Sequence, residues 1–133
     1  MNRRMLAAAI VVLAIGDGIL HFALDFVFFR GNFFRNDLSI MFLLSFVGYV
    51  VLSGAFLLRE RLLRDRAWLT NLVLIAYAVG SIVVWVQRGS PNPMGLGYVS
   101  KAIEVVLILA LLAHWMASRR TSPIALAEST RGS

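Results

Sequence analysis

The sequence has no cysteine and few charges: Asp, Glu, Lys and Arg together make up only 15% of its 133 residues. Without cysteine, the chain can form no disulfide, no thiolate metal site and no cysteine nucleophile. Soluble domains carry about 25% charged residues. The shortage of charge therefore indicates a chain that lies mostly away from water.

Recognisable catalytic motifs are also missing. The sequence contains no Gly-x-Ser-x-Gly elbow, no P-loop and no His-Glu-x-x-His motif, so we expect no enzymatic activity. The two histidines, His21 and His114, should lie about 15–20 Å apart along a helical bundle, which is too far to sandwich one haem. The sequence specifies no cofactor. His114, beside Trp115, is predicted to be an interfacial anchor.

Hydrophobic residues are abundant, at 59% of the chain, and the mean hydropathy is +0.79. A helix needs about 20 apolar residues to cross a hydrocarbon core about 30 Å thick. Four runs meet that length, at about residues 5–29, 38–58, 67–86 and 93–117. They lack the alternation typical of transmembrane β-strands. The sequence therefore predicts an all-α integral membrane protein with four transmembrane helices.

The connections between these runs are short. Sequential helices joined by short loops pack as antiparallel neighbours, which predicts a single up-down-up-down bundle over residues 1–120. Asn92 and Pro93 are typical of a helix cap and a first helical position, so the fourth helix is expected to begin at Pro93. Residues 121–133 are small and polar and contain Pro123, which predicts a flexible cytoplasmic tail.

Small residues recur four apart within the runs, as in Ala14 with Gly18 and Ala76 with Gly80. Small side chains let helix backbones approach closely in a membrane, where lipid supplies no hydrophobic drive for association. Each pair is therefore a candidate contact between helices.

The basic residues are unevenly distributed between the two ends of the predicted bundle. Nine would lie at one end: Arg3, Arg4, Arg59, Arg61, Arg64, Arg66, Arg119, Arg120 and Arg131. Four would lie toward the other: Arg30, Arg35, Arg88 and Lys101. Because positively charged short loops stay in the cytoplasm, both termini are predicted to be cytoplasmic. The same arginines account for the net charge of +6, so the expected partner is the lipid bilayer and not nucleic acid.

Ionisable residues interrupt the first and fourth runs. Asp17, His21 and Asp25 follow one another at helical spacing and so share one face of the first helix. Placing such a side chain at a bilayer centre costs roughly 2.5–3.5 kcal/mol on insertion scales, so it usually has a partner or a function. Counting along the helices puts Glu104 at the depth of Asp17 and Lys101 at the depth of His21. These five residues predict a site between helices 1 and 4, with Asp25 leading outward.

Three interpretations of this site remain open. In a structural role, Lys101 pairs with one carboxylate and the other acid is protonated. In a proton relay, the stripe exchanges protons with the outside. In a metal site, Asp17, His21, Asp25 and Glu104 are the ligands, although Lys101 would place a cation beside the ion. Polar residues of the other helices could complete hydrogen bonds: Tyr49, Tyr77, Ser45 and Ser81.

In its size, its four predicted spans and an acidic residue in the first span, the chain resembles the small multidrug resistance transporters. The resemblance covers Asp17 and the overall topology. The acid is aspartate here and glutamate in that family, and the family's other signatures are not evident. The outline is also similar to that of small DoxX-like membrane proteins, without a shared motif. Neither resemblance assigns the chain to a family.

The sequence thus predicts a non-enzymatic, multi-pass protein of a bacterial inner (plasma) membrane. Its buried ionisable site is expected to bind or pass a proton, a cation or a small amphipathic ligand. The alternative is an accessory or assembly subunit of a larger membrane complex, with a purely structural polar cluster. Both hypotheses imply further protein contacts, either a homo-oligomer or other membrane proteins.

Overall fold

A computed structural model describes residues 3–30, 32, 34, 36–62 and 67–120, and its long elements are all helices. These are α1 (Arg3–Phe29), α2 (Asp37–Leu62), α3 (Ala67–Gln87) and α4 (Leu96–Arg120). Each contains an apolar stretch of 20 to 26 residues with a mean hydropathy of 2.0 to 2.3. Four helices long and apolar enough to cross a membrane are therefore confirmed. The predicted tail, 121–133, lies outside the described residues.

The starts of α2 and α4 are set by local capping. The Ser39 backbone N–H donates to Asn36 Oδ1 at 2.9 Å, so Asn36 caps α2. Pro93–Gly95 form a 3-10 turn in which Met94 has a φ of 51°, and α4 begins at Leu96. A left-handed residue cannot continue an α-helix, so the helix starts three residues after the position that Pro93 suggested.

The four helices form a ring. α1 packs against α2 and α4, and α3 packs against the same two helices, while among the described residues the backbones of the diagonal pairs, α1 with α3 and α2 with α4, do not come into close contact. Neighbours run antiparallel, as the ring pairs Phe22–Phe46 and Phe29–Phe42 show for α1 and α2. The α1–α2 and α3–α4 connections therefore share one end of the bundle, called here the loop end. The opposite end, where α1 begins and α4 ends, is the terminal end.

The interior of the ring changes character along its length. Toward the terminal end it is mainly apolar, with Ile10, Leu74 and Leu107 fully buried, although Asn71 and His114 are buried there as well. Toward the loop end it contains the buried ionisable groups of α1 and α4. The outer surface is rich in apolar side chains, among them Val12, which is 70% exposed, and Leu57, which is 60% exposed. An apolar exterior around a polar layer is the arrangement that a small membrane protein requires.

Two glycines allow helices to approach closely. A Cβ at Gly18 would lie 3.3 Å from the Tyr49 Cβ, so α1 and α2 are in tight contact there. A Cβ at Gly48 would overlap the Tyr77 ring, whose hydroxyl donates to the Leu44 carbonyl at 2.8 Å. The predicted contact at Gly80 is wrong, because a Cβ there would meet nothing within 4 Å.

Candidate functional site

The site is built from successive turns of α1 and α4. Asp17 and Glu104 are both fully buried, and one ligand-capable atom from each of Asp17, His21 and Glu104 lies within 4.8 Å of the others. The depth count from the sequence matches this juxtaposition of Asp17 with Glu104. The antiparallel packing of α1 on α4 therefore joins two polar stripes into one cluster.

Glu104 is the best satisfied acid of the cluster. Lys101 Nζ donates to its Oε2 at 2.7 Å, and the Tyr49 hydroxyl donates to its Oε1 at 3.0 Å. Since both donors bind one carboxylate, Glu104 is held as an anion whose charge Lys101 balances. Lys101 also donates to Ser81 Oγ at 2.8 Å, so this ion pair on α4 is tied to α2 by Tyr49 and to α3 by Ser81.

Asp17 has no comparable support. Its carboxyl lies beside the Ser100 hydroxyl and the Glu104 carboxyl, but among the described residues neither of its oxygens, nor the Ser100 hydroxyl, makes a hydrogen bond of good geometry. His21 Nδ1 lies 3.5 Å from Asp17 Oδ2. A buried ionised carboxyl without partners is costly. Because Lys101 already balances Glu104, the cluster is electrically neutral when Asp17 carries a proton.

His21 is oriented by the backbone of its own helix. Its Nδ1 donates to the Asp17 carbonyl at 2.9 Å, which leaves Nε2 as the acceptor of the neutral ring. The ring is 5% exposed and stands edge-on to Phe42 at a centroid distance of 5.7 Å. His21 thus has one fixed tautomer, in which Nε2 is the basic nitrogen.

Asp25 is placed apart from this cluster, one turn beyond His21. Ser39 Oγ on α2 donates to Asp25 Oδ1 at 2.6 Å and lies 2.9 Å from the Asn32 carbonyl. A hydroxyl has one proton, so it can serve both acceptors only by sharing it. The arrangement fastens the end of α1 to the start of α2.

A small cavity connects the cluster with the loop end. It measures about 30 Å³ and is lined by both His21 and Lys101 and by Arg88 and Pro91. Trp85 also lines it and donates from Nε1 to the Pro91 carbonyl at 2.8 Å. A volume of this size holds one or two water molecules. Water in this cavity would bring protons from the loop end to His21.

The donor set can be compared with what a metal ion requires. Asp17, His21 and Glu104 supply oxygen and imidazole ligands suited to a borderline divalent ion. Both oxygens of Glu104 are already engaged, however, and the Lys101 ammonium is in direct contact with it. A divalent ion bound here would therefore lie close to the positive charge of Lys101, which disfavours a metal at this site, whereas a proton on Asp17 meets no such obstacle.

The burial of two serines beside the acids, and that of His114 elsewhere in the bundle, were not foreseen from the sequence. Ser100 and Ser39 are buried against the acids, although Ser100 could have been found from its spacing of four residues from Glu104. His114 is 1% exposed and packs on the Phe56 ring at 5.5 Å, so its prediction as an interfacial anchor is wrong. The signal was its spacing of three residues from Leu111, which is itself buried.

No protein-family model, curated protein sequence or solved structure matches this chain. Its function is therefore argued from its own residues and their geometry.

Proposed function

We propose that this small membrane protein uses the buried site between α1 and α4 to bind or pass a proton, a cation or a small amphipathic ligand. Proton exchange at Asp17 is the central event. One observation carries the proposal: the fully buried Asp17 carboxyl lies beside the Ser100 hydroxyl and the Glu104 carboxyl without a well-formed hydrogen bond among the described residues, next to a Glu104–Lys101 pair bonded at 2.7 Å.

The contrast between the two acids supports a functional role. A cluster kept only for stability gains most when every buried polar atom is satisfied, because each unsatisfied one costs about 1–3 kcal/mol. Glu104 meets that condition through Lys101 and Tyr49. Asp17, at the same depth, does not. Asp17 and the neighbouring Ser100 thus form the less well bonded part of the cluster, which is where the proposed proton exchange takes place.

Each residue then has a distinct role. Asp17 gains and loses the proton, Glu104 couples to it electrostatically, and Lys101 is the internal counter-ion. His21 passes the proton between Asp17 and the cavity that reaches Arg88. Asp25 stands beside the outward end of this path. In its bond to Ser39 it also joins α1 to α2.

The arginine distribution gives this path a direction. With both termini in the cytoplasm, the loop end and its cavity face outward, and the site exchanges protons with the outside. We extend the proposal to a bacterial inner membrane. The proposal also includes further protein contacts. Four helices with a filled interior form a pore only poorly, so passage of a ligand would more readily take place within a homo-oligomer.

The accessory-subunit hypothesis makes a different demand on the same residues. The apolar outer surface fits lipid and a protein partner equally well, so it does not favour that hypothesis. If the protein were only an accessory subunit, the polar cluster would be structural. Exchanging the Asp17 proton would then have no consequence for function.

The proposal is tested by infrared difference spectroscopy of the purified protein in liposomes during a pH titration. We expect a carbonyl stretch from a protonated carboxyl that disappears at high pH and is missing in Asp17→Asn. Asp37→Asn is the matched control, because Asp37 is an acid with a side chain 78% exposed. Proton flux into the same liposomes, followed with a trapped pH-sensitive dye, should fall in Asp17→Asn alone.

Two results would contradict the proposal. One is an unchanged carboxyl signal in a folded Asp17→Asn protein, since the titrating group would then lie elsewhere. The other is a combination of two findings. Native mass spectrometry of protein extracted from its own membranes would find it only within a fixed hetero-complex, and that complex would show the same proton flux with the Asp17→Asn variant. Recovery as a homo-oligomer would support the proposal.

A further inference from the structure

A second opening leads toward the same site from the side of the bundle. A groove of about 350 Å³ lies between α2 and α3 and is open to the outer surface. Its lining residues are Met41, Leu44, Ser45, Ala76, Tyr77, Gly80, Ser81 and Val84. The walls are apolar, and the polar contribution comes from two serines and a tyrosine. Small-molecule sites measure about 300–1,000 Å³, so the groove is at the lower end of that range.

The two serines separate the groove from the buried charges. Ser45 and Ser81 line the groove and also the small cavity that contains His21 and Lys101. Ser81 Oγ accepts a hydrogen bond from Lys101 Nζ, so the Ser81 proton is available to donate elsewhere. A molecule bound in the groove would therefore be one hydrogen bond away from the Lys101–Glu104 pair.

We propose that this groove binds an uncharged amphipathic molecule from the lipid phase, with its apolar chain between α2 and α3 and a hydrogen-bond-accepting head group at Ser45 and Ser81. The inference rests on the proposed function, since it identifies the ligand class of the same site and its lateral entrance. Binding at Ser81 alters the environment of Lys101 and, through Glu104, that of Asp17.

The charge balance selects an uncharged head group. Glu104 neutralises Lys101, so the groove presents hydroxyl donors without a free charge behind them. A cationic head group would be repelled by Lys101, which contacts Ser81 directly. An anionic head group would bury a further charge beside a lysine that Glu104 already neutralises. A carbonyl, ester or ether oxygen can accept from the serines without either cost.

Gly80 keeps the groove open. A Cβ at Gly80 would meet nothing within 4 Å, and Ala76, one turn away, is also exposed. Larger side chains at these positions extend into the groove and do not collide with the bundle. Gly16 on α1 is exposed with equally free space and does not line the groove, so it offers a matched control.

The experiment is photo-crosslinking in liposomes with a monoacylglycerol that carries a diazirine on its acyl chain. Mass spectrometry of the labelled peptides locates the adduct. We expect labelling concentrated at Met41, Leu44 and Val84, reduced about tenfold in Gly80→Leu and unchanged in Gly16→Leu. Ala76→Leu should reduce labelling to a similar extent. Agreement between the two variants would show that the reduction is not caused by a folding defect of one of them. Ser45→Ala should weaken labelling severalfold by removing a head-group donor.

Charged probes with the same chain complete the test. A carboxylate and a trimethylammonium analogue should label the groove less than the uncharged ester. The proposal is overturned if labelling is spread evenly around the bundle, persists in both groove-filling variants, or is stronger with a charged head group. The infrared carboxyl signal of Asp17 is recorded without any probe. If the wild-type protein lacks that signal, the proposed proton site is contradicted whatever the labelling result.

Discussion

Lys101 Nζ lies 2.7 Å from Glu104 Oε2, and the two residues are three positions apart on α4. Their pairing is thus internal to one helix. Because residues at this spacing face each other on the helix surface, the pair can form before the helices assemble. It reduces the cost of placing α4 in a bilayer, where an isolated charge is expensive. On α1 the corresponding neighbour of Asp17 is His21, four residues along, whose Nδ1 lies 3.5 Å from Asp17 Oδ2.

The Lys101–Glu104 pair should behave as a unit in stability measurements. Lys101→Met leaves a buried carboxylate unpaired and is expected to lower the free energy of unfolding by about 3–5 kcal/mol. Adding Glu104→Gln should restore a large part of the loss. Reversible unfolding in mixed detergent micelles measures both. The parallel cycle of Lys101→Met with Asp17→Asn should show weaker coupling, since Lys101 donates to Glu104 and Ser81. Equal coupling in the two cycles would contradict this assignment.

Tyr49 is expected to support the site through its hydroxyl. Tyr49→Phe removes the donor to Glu104 Oε1 while preserving the buried ring, so the loss should be about 1.5–3 kcal/mol, the range for hydrogen bonds to charged groups. Tyr98→Phe is the control, because Tyr98 is 61% exposed. A similar loss in both variants would show that the Tyr49 hydroxyl has no special role.

Ser39 should matter mainly where α2 begins. Ser39→Ala leaves the buried Asp25 carboxyl without its partner, at an expected cost of about 1–3 kcal/mol. The loss should be local, with faster amide hydrogen exchange at the start of α2 and little change in α3. Uniformly faster exchange in all helices would mean that Ser39 stabilises the bundle in another way.

Two glycines of α2 should respond oppositely to alanine. Gly48→Ala forces the new methyl group into the Tyr77 ring and should destabilise the protein by about 1–3 kcal/mol. Gly54→Ala meets nothing within 4 Å and should stabilise it by up to about 1 kcal/mol through helix propensity. Thermal unfolding of the two variants decides the point. A stabilising Gly48→Ala would show that Tyr77 packs elsewhere.

The ion pair at the loop end should be nearly neutral for stability. Arg88 and Asp37 are 3.4 Å apart, but their side chains are 47% and 78% exposed. Exposed pairs contribute about 0–1 kcal/mol, and the solvent screening at this site places the pair at the low end. Arg88→Gln should therefore leave the unfolding midpoint almost unchanged. A loss comparable to that of Lys101→Met would show that this pair holds the loop end together.

The helices could be read from the sequence because their signals are local. Each apolar run has the length of a membrane crossing, and the spacing of Asp17 and His21 puts both on one helix face whatever surrounds it. The depth of Glu104 followed from counting residues. The first residue of α4 did not: Asn92 caps the helix as predicted, its Oδ1 accepting from the Tyr98 backbone N–H at 3.1 Å, but the left-handed conformation of Met94 moves the start from Pro93 to Leu96.

The sequence by itself therefore determined the class of protein, the number of apolar helices and the face of α1 that carries the acids, since these depend on composition and helical period. Only the tertiary structure decided how those acids differ. Tyr49 donates to Glu104 from α2 and Ser39 donates to Asp25, whereas Asp17 lies beside Ser100 without a hydrogen bond of good geometry among the described residues. Hydrogen-bond partners on other helices depend on rotation and register between helices, which periodicity within one helix does not encode.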